Sequence, residues 1–264
     1  MAIILITGAS RGIGRATAEL LAQQGHTVYG TSRDPDGVVI HNVRVIRLDV
    51  TSEGSALAAV QNVVGKSGRL DVLINNAGIS QLGALEEISL IEAQTVFDTN
   101  VFGVMRMVKQ ALPIMRAQGD GKIINVSSIA GIIAVPFQGI YSASKYAIEG
   151  YTESLRHEVK HLGIDVSLIQ PGDINTTIQD TVSAKIIDAY AKQRANFLAT
   201  HAKSMKEAPS AEIVAKTIAR VVKTRKPKLR YAVGKEAFLP TAKRFIPNSF
   251  GEMWIRRWFK LDQD

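Results

Sequence analysis

The sequence of 264 residues contains no cysteine. The absence of thiols excludes disulfide bonds, thiolate nucleophiles and cysteine-based zinc sites. A chain without cysteine fits a reducing compartment, and we expect a cytoplasmic protein. The five histidines are dispersed and lack an H-E-x-x-H context or a nearby acidic cluster, so we expect no metal site.

Long apolar runs are also missing. No stretch approaches the roughly 20 apolar residues that a membrane-spanning helix requires. The apolar start, Met1 to Thr7, has no basic region before it and runs directly into glycines. We therefore interpret it as a strand rather than a signal peptide.

Acidic residues are fewer than basic ones, and the formal net charge is +8. A basic protein attracts polyanions, so nucleic acid is a candidate partner. The excess lysines and arginines are mostly late and dispersed, however, and no zinc-finger spacing or aromatic RNA-binding signature accompanies them. We therefore expect a solvated basic face and no nucleic-acid partner, although an anionic cofactor would also be attracted.

Short apolar segments alternate with helical patterns along the chain. This alternation predicts βαβ units in one α/β domain over residues 1–264, a doubly wound Rossmann domain with a seven-stranded parallel sheet and helices on both faces. Ser89 and Glu92 form a possible capping box that opens a long helix ending near Gly119, and Ser210 is a candidate cap of a later helix. The predicted strands are Ile3–Ile6, Thr27–Gly30, Val43–Leu48, Val72–Ile74, Lys122–Val126, Asp165–Ile169 and Leu229–Val233.

Two segments depart from the alternation. Residues 173–208 form an insertion too long for an ordinary connection, and we interpret it as a substrate lid. Residues 234–264 form a C-terminal extension that is basic and aromatic. The apolar residues of the lid are Ile174, Ile178, Val182, Ile186, Ile187, Tyr190, Phe197 and Leu198.

A glycine-rich turn follows the first predicted strand. Glycines between a strand and a helix allow the backbone to approach a pyrophosphate, which the helix N-terminus attracts. The spacing here is G-x-x-x-G-x-G, and its position favours a dinucleotide site over a plain tight turn. The segment reads Thr7-Gly8-Ala9-Ser10-Arg11-Gly12-Ile13-Gly14.

The end of the second strand predicts the choice of dinucleotide. An acidic residue there would favour NAD, whereas an arginine suits the additional phosphate of NADP. Ser32 stands where the acid is expected, Arg33 follows it, and Arg11 can reach the same phosphate. This pattern favours NADP because arginine binds phosphate in a bidentate manner. Asp34 keeps NAD open, since a shift of one residue would point it at the ribose.

Polar residues close the third and fourth strands, where strand ends line the ligand crevice. Asp49, followed by Val50, is suited to the adenine amino group. Asn76, Ala77 and Gly78 would cover the cofactor with amide and backbone groups. Each of these is a simple turn signal when taken alone.

Tyr141 and Lys145 are spaced to share one helix face. A tyrosine hydroxyl titrates near ~10, and a neighbouring cation is expected to lower that pKa, which would make the phenol a general acid/base. Ser128 lies before this pair and could hydrogen-bond the reacting oxygen. A Tyr-x-x-x-Lys spacing also occurs by chance on many helices.

Taken together, these motifs resemble the short-chain dehydrogenase/reductase family, with Asn100 and Pro171-Gly172 as further matches. The resemblance, nearest to hydroxysteroid and retinol dehydrogenases, implies that Tyr141 exchanges the proton and that Lys145 holds the ribose. It also implies that Asn100 positions a water, and that Ile174 and Thr176 contact the nicotinamide.

The expected activity is NADP(H)-dependent hydride transfer to or from a hydrophobic ketone, aldehyde or secondary alcohol. An NAD-dependent alcohol dehydrogenase and a non-catalytic dinucleotide sensor are the alternatives. The family resemblance implies a homodimer or homotetramer. The C-terminal extension could contact a membrane surface, but we favour packing, either on a neighbouring subunit or on its own domain. Residues expected to flank the substrate, besides Ser128 and Tyr141, are Ile79, Gln81, Ile133, Val135, Phe137 and Gln138.

Overall fold

The computed structural model describes residues 1–176 and 180–262. Within these ranges seven parallel strands form one sheet in the order β3-β2-β1-β4-β6-β7-β9, and β5 pairs with β8 in a second, two-stranded sheet. The seven-stranded parallel sheet confirms the predicted fold. The strands are β1 (Ile3–Ile6), β2 (Thr27–Ser32), β3 (Val43–Arg47), β4 (Val72–Asn75), β5 (Ser80–Leu82), β6 (Gly121–Val126), β7 (Ile164–Pro171), β8 (Asp180–Val182) and β9 (Arg230–Val233).

Helices cover both faces of the large sheet. In the described ranges they are α1 (Gly12–Gln23), α2 (Glu53–Ser67), α3 (Leu90–Phe97), α4 (Gly103–Gln118), α5 (Gly139–Val159), α6 (Ala191–Glu207), α7 (Glu212–Lys223), α8 (Leu239–Ala242) and α9 (Asn248–Trp258). None of the helices in this part of the chain is long and apolar enough to cross a membrane.

The central strand β1 shows why its sequence is continuously apolar. Ile3 and Leu5 are buried in a core with residues of α2, α4 and α5, whereas Ile4 and Ile6 are buried in a second core with residues of α1 and α7. A parallel sheet that is covered on both faces requires apolar residues at every position of such a strand. Polar side chains inside the sheet, such as Ser167 of β7, are therefore few.

The predicted long helix from Ser89 to Gly119 is interrupted. The capping box at its start is present, since Ser89 Oγ accepts from the Glu92 N–H at 3.2 Å and Glu92 Oε2 accepts from the Ser89 N–H at 2.7 Å. Gly119, with φ of 67°, ends α4. Between α3 and α4, however, residues Asp98–Phe102 form a π-helical segment that the apolar pattern does not reveal. One wider turn therefore divides the helix at Asn100.

The predicted cap at Ser210 is wrong. Helix α7 begins after Ala211, and no side chain caps its first turn. The backbone of Ser210 instead forms an isolated bridge with Asn175, and the Asn175 N–H donates to the Pro209 carbonyl at 2.9 Å. The backbone of Ser210 thus pairs with the segment that follows β7.

The insertion at residues 173–208 is anchored by a buried carboxylate. Glu87 is 2% exposed and accepts hydrogen bonds from the Ala84 N–H at 2.9 Å, from the Ile187 N–H at 2.8 Å and from the Arg194 guanidinium. Burial alone would raise the pKa of Glu87, but these three donors hold it below its usual value. A charged pair therefore joins helix α6 to the loop before α3. Ile178, a predicted lid residue, lies outside the described residues.

We expect Arg194→Met to lower the free energy of unfolding by about 3 kcal/mol, because it leaves the Glu87 carboxylate buried without its cation. Urea denaturation measures the change. Arg15→Met is the matched control, since the Arg15–Glu19 pair is largely exposed and should contribute at most about 1 kcal/mol. Equal losses in the two variants would contradict the anchoring role of Glu87.

Candidate functional site

The glycine-rich turn between β1 and α1 lies at the carboxyl edge of the sheet. Gly8 and Gly12 have φ values of 67° and 56°, a region that side chains disfavour. A Cβ on Gly14 would lie 2.2 Å from the Gly8 carbonyl oxygen, so the turn and the helix fit only around a glycine there. No side chain caps the first turn of α1, which leaves its N–H groups directed at the cavity beside the turn. This arrangement suits a pyrophosphate.

Asn76 fixes the shape of this turn. Its Nδ2 donates to the carbonyl oxygens of Thr7 and Gly8, both at 3.0 Å, and Thr7 Oγ1 accepts from the N–H groups of Asn76 and Ala77. The Asn76 side-chain amide, which we expected to contact the cofactor, thus hydrogen-bonds the turn instead. Asn76, Ala77 and Gly78 nevertheless line the same cavity.

One cavity of about 1220 Å³ connects most of the predicted residues. Its lining includes the turn from Gly8 to Ile13, apart from Ala9, together with Asp49, Val50, Ser128, Tyr141 and Lys145. Gly14 and Asn100 are not in the lining and act from behind it. The end of β7 and the residues after it complete this part of the wall: Pro171, Gly172, Ile174 and Thr176.

Two arginines lie at one wall of the cavity. Arg11 and Arg33 are exposed and line it together with Ser32 and Asp34. Ser32 Oγ donates to the Asp34 carbonyl at 2.7 Å, and no salt bridge joins Arg33 to Asp34 within the part of the chain that the structure describes. The cations therefore face the space at the end of β2.

Asp49 is held as a carboxylate. Its Oδ1 accepts from the N–H and the hydroxyl of Thr51, at 3.0 and 2.7 Å. These hydrogen bonds, aided by the positive charges of Arg33 and Arg106, lower the pKa of Asp49 below its usual value. An ionised acceptor is therefore available near the arginines, as recognition of an amino group requires.

Tyr141 and Lys145 face the cavity from helix α5. Lys145 Nζ lies 5.6 Å from the centroid of the Tyr141 ring and donates to the Val126 carbonyl at 2.9 Å. Ser128 follows β6, where its Oγ accepts from the Ala130 N–H at 3.1 Å. The structure thus brings the three predicted side chains together.

The pKa of Tyr141 differs from the expectation. Burial raises the pKa of Tyr141 to about 12, with smaller contributions from Asp180 and Asp173, while a hydrogen bond with Ser128 acts in the opposite direction. Burial also lowers the pKa of Lys145 to about 8, although the charge of Glu149 opposes this shift. The expected lowering by the lysine cation is not found in the protein alone: burial outweighs the hydrogen bond with Ser128, and the charge of Lys145 is not among the contributions to the Tyr141 pKa. The neutral phenol that results is suited to donate a proton.

Asn100 is 1% exposed, so it is not a surface residue of a helix. Its Oδ1 accepts from the Ile79 N–H at 2.9 Å, and its Nδ2 donates to the Ile79 carbonyl at 2.9 Å and to Ser144 Oγ at 3.0 Å. A Cβ on Gly78 would lie 3.2 Å from Asn100 Oδ1 and 3.8 Å from Lys145 Nζ. The π-helical segment thus places an amide beside Lys145.

The substrate end of the cavity differs in part from the prediction. Ile79, Ile133, Val135 and Gln138 line it, but Gln81 is buried and donates to Glu92 at 3.2 Å. Of the described apolar lid residues only Ile174 lines the cavity; Phe197 is buried beneath it and Val182 and Ile186 are exposed. Residues that the prediction missed complete the wall: His201 and Met205 of α6, and Phe238, Leu239, Trp254, Ile255, Trp258 and Phe259 of the extension.

The spacing of the extension could have revealed this wall. Ile255 and Phe259 are four residues apart on α9 and both line the cavity, and Phe259 also packs on Phe197 with ring centroids 5.2 Å apart. Apolar residues at such spacing mark the inner face of a helix. The extension therefore packs on its own chain, which is one of the expected arrangements.

Comparisons with known proteins agree with this geometry. A family profile described as short chain dehydrogenase matches residues 2–187. A 3-ketodihydrosphingosine reductase of Bacteroides thetaiotaomicron is 40% identical over 98% of each chain. Human 17-beta-hydroxysteroid dehydrogenase type 1 is 32% identical over 96% of this chain and 83% of that protein.

Three solved structures show the same fold, and two of them have a nicotinamide dinucleotide bound. A short-chain dehydrogenase from Streptomyces avermitilis superimposes with a TM-score of 0.86 at 31% identity, over 100% of this chain and 99% of that one. A family member from Burkholderia phymatum in complex with NAD gives 0.79 at 27% identity over 92% of each chain. ElxO with NADP bound gives 0.75 at 27% identity, over 90% of this chain and 100% of that one. The chain therefore belongs to the short-chain dehydrogenase/reductase family of nicotinamide-dinucleotide oxidoreductases.

Proposed function

We propose that the protein transfers hydride between NADP(H) and a hydrophobic ketone, aldehyde or secondary alcohol, with Tyr141 as the general acid/base. The observation that carries this proposal is the position of Tyr141, Lys145 and Ser128 in the same cavity as the glycine-rich turn. Hydride chemistry is supplied by the dinucleotide when it is bound, and the protein orients and polarises the reactants.

Different residues would hold different parts of the dinucleotide. The turn at Gly8 and Gly12 holds the pyrophosphate, and Asp49 accepts from the adenine amino group. Lys145 binds the ribose hydroxyls, while Ile174 and Thr176 position the nicotinamide. The water-positioning role of Asn100 stays a prediction, because its amide atoms already bond Ile79 and Ser144.

In carbonyl reduction, Tyr141 donates its proton to the oxygen as hydride reaches the carbon. Ser128 hydrogen-bonds the same oxygen and stabilises the charge that develops on it. Because the pKa of Tyr141 is raised to about 12, the phenol stays protonated at neutral pH. Gln138, which is 8% exposed and lines the cavity, is placed to contact the substrate.

The cavity wall supports a hydrophobic substrate. Val135, Leu239, Trp254, Trp258 and Phe259 line the cavity that also contains Tyr141. A 3-ketodihydrosphingosine reductase among the relatives supports a lipid-like ketone. Apolar and aromatic walls with few polar groups are typical of pockets for such ligands.

A homodimer or homotetramer is part of this proposal. The exposed apolar residues Phe102, Met105 and Tyr146 lie on the π-helical segment, on α4 and on α5, where the family resemblance places an interface. Contact with a second copy would cover them. The cytoplasmic location and the single-domain organisation over residues 1–264 likewise stay predictions.

We expect Tyr141→Phe to lower the turnover of a ketone substrate by at least about 100-fold, because the variant lacks the proton donor. Affinity for the dinucleotide, measured by fluorescence titration, should persist. Retained turnover would contradict the assignment of the acid/base. Absence of turnover in the wild-type protein over a broad panel of carbonyls would favour the dinucleotide sensor.

We expect Arg33→Ala to raise the KM for NADPH by about tenfold and to leave the KM for NADH almost unchanged, because only NADPH carries the phosphate that the guanidinium bonds. Steady-state assays with both dinucleotides measure the change. Arg47→Ala is the matched control, since Arg47 is exposed at the end of β3 but does not line the cavity. Faster reduction with NADH by the wild-type protein would instead favour the NAD-dependent alternative.

Glu149 lies one turn beyond Lys145 and is 6% exposed. It accepts from Gln170 at 3.0 Å and from Arg230 at 2.8 Å, and its charge raises the pKa of Lys145 against the lowering by burial. The Lys145 cation is therefore present below about pH 8 and is lost above it. Glu149 helps to keep the lysine charged at neutral pH.

We expect Glu149→Gln to move the high-pH decline of carbonyl reduction to lower pH, because the pKa of Lys145 falls further without the carboxylate. The pH profile of kcat/KM measures this shift. Glu153→Gln is the matched control, since Glu153 also bonds Arg230 but is largely exposed and is not among the charges that act on Lys145. An unmoved profile, or the same shift in both variants, would contradict this role.

A further inference from the structure

The C-terminal extension exposes large apolar side chains that its own packing does not use. We name six of them the aromatic patch, and each is between 45% and 81% exposed. Solitary exposed apolar residues are ordinary, whereas a group of them marks an interaction surface. The members of the aromatic patch are Phe238, Phe245, Phe250, Met253, Trp254 and Trp258.

Helix α9 presents this patch from a fixed position. Phe250, Trp254 and Trp258 recur every fourth residue, so they share one face, and the rings of the two tryptophans stack with centroids 5.4 Å apart. The other face is anchored, since Phe259 packs on Phe197 and Asn196 Nδ2 donates to the Lys260 carbonyl at 3.0 Å. The helix therefore holds its aromatic face at the mouth of the cavity, where Trp254 and Trp258 are about half exposed.

The aromatic patch is continuous with the cavity. Phe238, Trp254 and Trp258 are about half exposed or more, yet they also line the cavity that contains Tyr141. An apolar molecule at the patch would therefore contact side chains that also form the cavity wall.

Positive charge surrounds the aromatic patch. The extension, residues 234–264, contains six lysines and arginines against four acidic residues, which gives it a net charge of +2. Arg244, Arg257 and Lys260 are exposed. Aromatic residues combined with lysine and arginine are the composition of helices that lie in a membrane interface. Anionic headgroups would complement this charge.

We infer that the aromatic patch docks on an anionic lipid surface, from which the cavity takes an amphiphilic carbonyl substrate. The apolar face of α9 would lie at the boundary between headgroups and acyl chains, with Arg244 and Arg257 among the phosphates. The substrate part of this inference rests on the proposed function, whereas the docking part does not.

Co-sedimentation with vesicles tests the docking. We expect the wild-type protein to bind vesicles of phosphatidylcholine with phosphatidylglycerol, and to bind phosphatidylcholine alone much more weakly. Binding should weaken with added salt. Phe245→Ser combined with Phe250→Ser should reduce partitioning by about tenfold or more, because apolar area is lost from the interface. Val39→Ser is the matched control, since Val39 is 79% exposed and lies outside the extension.

The inference is overturned if the wild-type protein does not bind anionic vesicles, or if the double variant binds as well as the wild type. It is also overturned if size-exclusion chromatography shows that the double variant dissociates an oligomer, because a second copy then covers the patch.

Activity assays separate this inference from the proposed function. Phe245 and Phe250 do not line the cavity, so the double variant should reduce water-soluble cyclohexanone as fast as the wild type does. Reduction of a long-chain methyl ketone embedded in anionic vesicles should fall in parallel with binding. Failure of the wild type to reduce either ketone would count against the proposed function, whatever the vesicles show. Equal reduction of the embedded ketone by both proteins would overturn delivery from the lipid surface.

Discussion

Coverage of the parallel sheet on both faces is the constraint on which the rest of the structure depends. Each central strand must be apolar on both sides, as β1 is with Ile3 to Ile6. Polar side chains are thereby displaced to the ends of the strands. The glycine-rich turn, Asp49, Asn76 and Ser128 all follow strands that end at the same edge. Because helices cover both faces of the sheet, these residues line a single crevice at its edge, which has room for a dinucleotide.

Desolvation in that crevice acts on the tyrosine and the lysine in opposite directions. It raises the pKa of Tyr141 and lowers the pKa of Lys145, because in each case the charged form loses its hydration. Two groups oppose these shifts. The hydrogen bond with Ser128 lowers the pKa of Tyr141, and the charge of Glu149 raises the pKa of Lys145. The balance favours a protonated tyrosine in the protein alone.

Periodicity and glycine positions were sufficient to predict the seven strands, the turn at Gly8 and the shared face of Tyr141 and Lys145. They could not predict the pairing of β5 with β8, because three-residue strands have no period to detect. The π-helical segment was hidden because one wider turn barely alters an apolar pattern. The aromatic wall from α9 was missed because spacing, which marks Ile255 and Phe259 as one covered face, does not tell which part of the chain that face covers. The direction of the Tyr141 pKa shift depends on burial, which spacing does not measure.

The π-helical turn at Asp98–Phe102 has a consequence for how this segment tolerates length changes. Such a turn corresponds to one extra residue in an α-helix. Removing one residue there would allow α3 and α4 to fuse into a regular helix, with the residues on either side kept close to their present faces. Asn100 would then lose its hydrogen bonds with Ile79 and Ser144, although the hydrophobic residues of both helices could stay buried in the core. A shortened homologue could therefore keep the architecture and lose the buried amide.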